Sequence, residues 1–142
     1  MFRYGSELSL ISDYTQNNFT AYLANQWLKE DSSSRQSFWI GFQSIDNLST
    51  NTLESASGRF ISKYVGFWRA DQPNVKRGEC VRSTLTDWSP VAINDIAETQ
   101  QTWELAPCED LLPFVCQKQT CPSGLSTYLS NESFPVIFQL IQ

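Results

Sequence analysis

The sequence predicts an α+β domain. Three features carry that expectation. A helical pattern comes early, several short apolar segments with strand character come later, and long polar stretches separate them without any regular alternation of strand and helix. The chain has 142 residues, of which 41% are apolar, enough for one domain with its own core and too many for a disordered polymer.

Taken in order, "SDYTQNNFTAYLANQWLKE" reads as an amphipathic helix capped by Asp13 or Ser12, with Phe19, Leu23 and Trp27 four apart on one stripe and Tyr22 beside them. "DSSSRQS" reads as a loop. "FWIGF" has the continuous apolar character of a strand buried on both faces. The Ser/Asn/Thr-rich stretch from Gln43 to Ser57 reads as a surface loop, and "GRFISKYVGFW" as a short hairpin. Beyond Arg69 the pattern is irregular except for "CVRSTL", a candidate strand. "TWELAPC" and "LPFVCQK" read as two closing strands, and the apolar "FPVIFQLI" near the C-terminus as a strand in want of a partner.

The net charge of −5, with no Lys/Arg cluster, gains nothing from counterion release and argues against nucleic acid as a partner. The chain contains no histidine, which removes Ser-His-Asp and Cys-His nucleophiles and every histidine-containing zinc site. No pair of acids stands out as catalytic, so the expectation is a protein that is not an enzyme. The four cysteines, Cys80, Cys108, Cys116 and Cys121, form no CxxC pair; their wide spacing suggests disulfides and an oxidising compartment. Sequons at Asn18, Asn47 and Asn131 point the same way, to a secreted glycoprotein or the ectodomain of a larger protein. No run reaches the roughly 18 apolar residues of a membrane span, and "MFRYGSELSLI" has neither the basic start nor the apolar core of a signal peptide. A secreted domain without its leader is therefore expected, either truncated at its start or cut from a longer protein.

Several fragments line up in one order: "GSELSLI" and the helix after it, "FWIGF", Gln72-Pro73-Asn74 shortly after Trp68, Cys80, Trp103 ahead of Cys108, and "PFVC" ending at Cys116. In this the chain resembles a C-type lectin-like domain. That family shows G-x-x-L-x-x-I before its second helix, a WIGL strand, a Glu/Gln-Pro-Asn/Asp loop, a W-N-D-x-x-C strand and a closing P-F-x-C. The resemblance implies two helices with small antiparallel sheets and a long-loop region over residues 1–118. It implies a disulfide between Cys80 and Cys108, and a second from Cys116 to a cysteine in the first helix. Register against "GSELSLI" places that partner near Met1, where none exists, so the domain is expected to lack its first strand and first-helix cysteine; Cys121 is the remaining candidate for Cys116. Residues 119–142 are expected to be a tail or the start of a truncated further module.

The family's sugar site holds calcium, an ion that takes six to eight oxygens, between loop side chains and two sugar hydroxyls. The resemblance implies a cis peptide bond at Pro73 that aims Gln72 and Asn74 at one point, with Glu79 as the acid near Cys80. The W-N-D motif reads Trp103-Glu104-Leu105 here. Glu104 retains a carboxylate, whereas Leu105 offers an ion nothing but its carbonyl. The candidate calcium ligands, and with them the ligand-binding residues, are thus Gln72, Asn74, Glu79 and Glu104. Trp88, inside a segment between Cys80 and Trp103 that is longer than usual and also holds Asn94, Asp95 and Glu98, either meets a ligand or packs the insertion down. Trp39 and Trp103 are expected in the core, and Trp68 under the loop. Two functions follow. The nominal one is carbohydrate binding, with calcium as a possible cofactor and a glycan or glycoprotein as partner; the alternative is calcium-independent binding of a protein ligand.

Overall fold

A computed structural model of the chain describes residues 6–28, 36–45, 51–55, 58–86, 100–119 and 136–141. The chain order is β1 (Ser6–Leu8), α1 (Tyr14–Leu28), β2 (Ser37–Ser44), β3 (Thr52–Ser55), β4 (Phe60–Ser62), two single 3-10 turns at Lys63–Val65 and Val75–Arg77, then β5 (Cys80–Thr84), β6 (Trp103–Ala106), β7 (Phe114–Gln119) and β8 (Val136–Ile141). Helix and strands segregate, as the α+β reading requires. The first of the two expected helices falls on residues 1–5, outside the described residues.

The helix begins where its cap dictates. Asp13 Oδ1 accepts from Gln16 N at 2.8 Å, and the Gln16 side chain reaches back to Ser12 N at 2.9 Å, a reciprocal arrangement that satisfies otherwise orphaned donors. Phe19 and Leu23 face the core as predicted, whereas Tyr22 is exposed; the side chain of Trp27 lies outside the described residues. Apart from Leu28 at its end, the rest of the buried face is polar or small: Asn17, Asn18, Thr20, Ala21 and Ala24. Thr20 hides its hydroxyl by donating to Gln16 O. Asn18 is 2% exposed, which leaves no room for a glycan on that sequon in the folded domain. Asn47 and Asn131 fall outside the described residues.

The strands join in the order β1-β7-β2-β3-β4, with β5 bridging β2 and β6, and β8 beside β7. β7 pairs along all six residues with β8, and along its other edge with β1, before a single parallel pair ties Phe114 to Trp39 of β2. The apolar C-terminal segment thus finds a partner in the body of the domain. Two expectations need correcting. The polar stretch after Gln43 is not all loop: Thr52–Ser55 is a strand paired with β2, and its Leu53 is fully buried. The hairpin expected within "GRFISKYVGFW" is instead made by β3 and β4, because Lys63–Val65 turns as a 3-10 helix with Ser62 Oγ accepting from Tyr64 N.

Alternate residues of β2 (Phe38, Ile40 and Phe42) enter the core with Leu53, Val81, Leu105, Val115 and the helix's Leu23 and Leu28. Trp103 is the centre of this core. Phe67 and Trp68 meet it edge-on at 5.5 and 5.6 Å, Phe42 lies tilted at 5.6 Å, and its indole N–H donates to Asn17 Oδ1 of the helix. Trp68 is buried, its N–H donating to Lys63 O. Trp39 departs from expectation. It stands on the opposite face of β2, partly exposed, with its N–H donating to Asp110 O at 3.2 Å.

Candidate functional site

The long loop leaves the core at Trp68 and returns at Cys80. Two anchors fix its ends: Arg69 N bonds to Trp103 O, and a disulfide joins Cys80 to Cys108 with Cα atoms 5.2 Å apart. The Gln72–Pro73 peptide is cis, as the family motif implies. Gly78, at φ +148, brings the chain so close to β6 that a Cβ would fall 2.1 Å from Ala106 O, so glycine is required there to pass the chain into β5.

The two amides flanking Pro73 are both engaged. Gln72 Oε1 accepts from Asn74 N at 3.0 Å and from Leu105 N at 3.1 Å, which uses both of its lone pairs. Asn74 Oδ1 accepts from Lys76 N at 3.1 Å and so caps the second 3-10 turn. These side chains hold the loop to β6 and shape its next turn.

Glu104 makes its described bonds on the β5–β6 side, with Arg82 and Thr84, and not with Gln72 or Asn74. It lies directly across the β5–β6 ladder from Arg82 and on the face opposite Trp103 and Leu105, buried. Its Oε1 accepts from Arg82 Nε at 2.9 Å and from the Thr84 hydroxyl at 2.7 Å, and Arg82 also reaches toward Asp110 at 3.8 Å. Leu105 is 1% exposed, its side chain part of the core and its N–H bound to Gln72. Glu79 is exposed; its carbonyl accepts from Ser44 N at 2.6 Å, and no described residue engages its carboxylate. Trp88, Asn94, Asp95 and Glu98 lie outside the described residues, as does Cys121. Cys116 is a buried free thiol in β7, and burial pushes its pKa up.

This donor set does not fit a calcium ion. Of the four expected ligands, Gln72 Oε1 is occupied by two backbone N–H groups, Asn74 Oδ1 accepts one, and the Glu104 carboxylate is bonded to the partly buried Arg82, leaving Glu79 and one lone pair of Asn74 against a need for six to eight oxygens. Among the described residues no three His, Cys, Asp or Glu side chains gather where they could hold a metal. No helix of the described residues is long and apolar enough to cross a membrane. Sequence reasoning missed Arg82 and Asn17, which fix Glu104 and Trp103; their partners lie 22 and 86 residues away and become visible only through the strand register and the helix–sheet packing.

The model of the family described as Lectin C-type domain matches residues 2–118. No curated protein matches the chain.

Proposed function

The chain belongs to the C-type lectin domain family, and from that premise we propose that it is a non-catalytic extracellular recognition domain whose long-loop face meets a protein ligand without a calcium bridge. One observation carries the reading: Gln72 Oε1, aimed by the cis-proline, accepts from Leu105 N and Asn74 N where a metal would need that oxygen. The loop's shape is kept by protein donors instead of an ion. The surface beside it favours protein over sugar. Tyr64 and Val65, in the 3-10 turn that precedes the loop in the chain, are 84% and 68% exposed, and Val75 within the loop is exposed as well; apolar and aromatic side chains of this kind anchor protein interfaces. The disulfide suits an oxidising extracellular setting. A glycan is the second reading, supported by the retained Gln72-Pro73-Asn74 motif.

The test is a thermal melt of the oxidised chain in millimolar calcium and again in chelator, followed by a glycan array under both conditions. A ligand that binds only the native state adds about 2.7 kcal/mol at a hundredfold excess over Kd. The expected result is the same Tm in both buffers. A rise of several degrees with calcium would overturn the reading and send the search back to sugars.

A further inference from the structure

On the outer face of the sheet, away from the long loop's amides, lies a half-open cleft of about 340 Å³, lined by Trp39, Gln43, Glu54 and the Cys80–Cys108 disulfide, among others. Its size falls within the range of small-ligand sites, about 300–1,000 Å³. Strand register builds it. Gln43 is the direct partner of Glu54 on β3 and of Cys80 on β5, so the three share one row across three strands, and Phe60 of β4, 60% exposed, continues that row as the partner of Glu54. Trp39 stands two pleats away on the same face of β2. Between them is Gly41, where a Cβ would lie 2.7 Å from Leu8 O, so the passing chain closes the floor.

The chemistry of the walls is specific. Trp39 has already committed its N–H to Asp110 O, so what it offers the cleft is ring surface. Among the described residues nothing engages the Glu54 carboxylate or the Gln43 amide. Among the described residues of the ladder, the cation next to Trp39 is its cross-strand partner Arg82, which is ion-paired with Glu104 and faces Asp110 besides. Glu79 and Glu109 adjoin the two half-cystines in the chain, and the whole protein carries −5. An aromatic ring and an unpaired carboxylate lining one cleft are the groups with which proteins hold organic cations.

We propose that this cleft is a second binding site of the domain, for an organic cation: an ammonium or guanidinium group on a compact apolar body. The group sits in the cleft with the Trp39 ring and the Glu54 carboxylate, and its apolar body rests on the disulfide. The source is either a free quaternary amine or a basic side chain of a bound protein, and the two are separable by probe.

The experiment titrates the folded full chain with choline and with N-acetyl-arginine amide while following the Trp39 indole N–H by NMR, assigned through Trp39→Phe. The neutral isosteres 3,3-dimethylbutanol and N-acetyl-citrulline amide serve as controls. The expected result is a saturable shift with at least one cation, about tenfold weaker in Glu54→Gln and in raised salt, and absent with the neutral isostere. Saturation by choline alone identifies a quaternary amine, and saturation by the arginine derivative alone a protein side chain. Glu54 is partly exposed on a short strand, so Glu54→Gln should fold; Gln43→Lys, which places a cation in the same row, gives a second route to the same loss. Equal binding of cation and isostere, unchanged affinity in both variants, or no saturable shift at Trp39 would overturn the proposal.

Discussion

Replacing Arg82 by Met tests whether Glu104 belongs to the fold or to a ligand site. Arg82 Nε and Glu104 Oε1 are 2.9 Å apart, and the two side chains are 13% and 5% exposed. At an effective dielectric of about 20, a unit pair at that distance attracts by roughly 6 kcal/mol before desolvation is subtracted. Removal of one partner strands the other's charge, which for buried pairs costs about 3–5 kcal/mol. The Thr84 hydroxyl would remain to bond the carboxylate, which places the expected loss near the low end, about 3 kcal/mol. With a urea m-value of about 2 kcal/mol/M, the unfolding midpoint should fall by roughly 1.5 M with little change in slope. The double variant Arg82→Met with Glu104→Leu removes both charges and should recover most of the loss. A single variant that unfolded within about 0.5 kcal/mol of the parent would refute the reasoning: Glu104 would then be a carboxylate free to turn, and the case against a metal at this loop would lose one of its supports.

Two further outcomes follow from the same geometry. Asn17→Ala leaves the Trp103 N–H and the Gln100 carbonyl without their partner in the core, so stability should fall by about 2–3 kcal/mol, with a change in near-UV circular dichroism as Trp103 loosens; an unchanged spectrum and Tm would show that the clamp is incidental. Cys116 is a described group whose titration is shifted by burial. Desolvation raises its pKa, opposed in part by a backbone hydrogen bond, so the folded state holds the proton more tightly than the unfolded chain. Its contribution is complete below the ordinary thiol value of about 8.5 and is lost as pH rises through the folded value. Urea midpoints from pH 7 to 10 should therefore decline more steeply for the parent than for Cys116→Val, and parallel curves would contradict the burial.

What was legible in the sequence was whatever local chemistry decides. Asp13 caps the helix because an acid before an amphipathic run does so anywhere, and "CVRST" and "FVCQKQ" carry strand character in their own side chains. The loop's shape came through the family pattern, down to the cis bond at Pro73. What was hidden depends on register. β3 looked like loop because "TLES" has one apolar residue, and Leu53 becomes informative only when β2 lies beside it. Trp39 was assigned to the core from its place in the WIGL-like strand, yet the pleat sends it to the face opposite Phe38 and Ile40, where Glu54 joins it from a segment that read as loop. The Glu104 carboxylate looked available for the same reason, since Arg82 is remote in the chain and adjacent only in the ladder.

Leu105 explains why the family's ion site is not one substitution away. Its backbone pairs with Val81 in the ladder and its side chain fills the core, buried as deeply as Trp103. An acid at this position would put a charge where a fully buried leucine contributes roughly 2–3 kcal/mol of burial, and would have to swing the strand to reach the loop. Gln72 would also have to release Leu105 N and Asn74 N before its carbonyl could face an ion, leaving two backbone donors in want of partners. Each change alone costs stability and forms no site, because a divalent ion needs several oxygens at once. In this structure the cis-proline loop is tied to β6 through Gln72 Oε1, which accepts from Leu105 N, and on the reading proposed above recognition falls to the apolar residues near the loop and to the cleft on the outer face of the sheet.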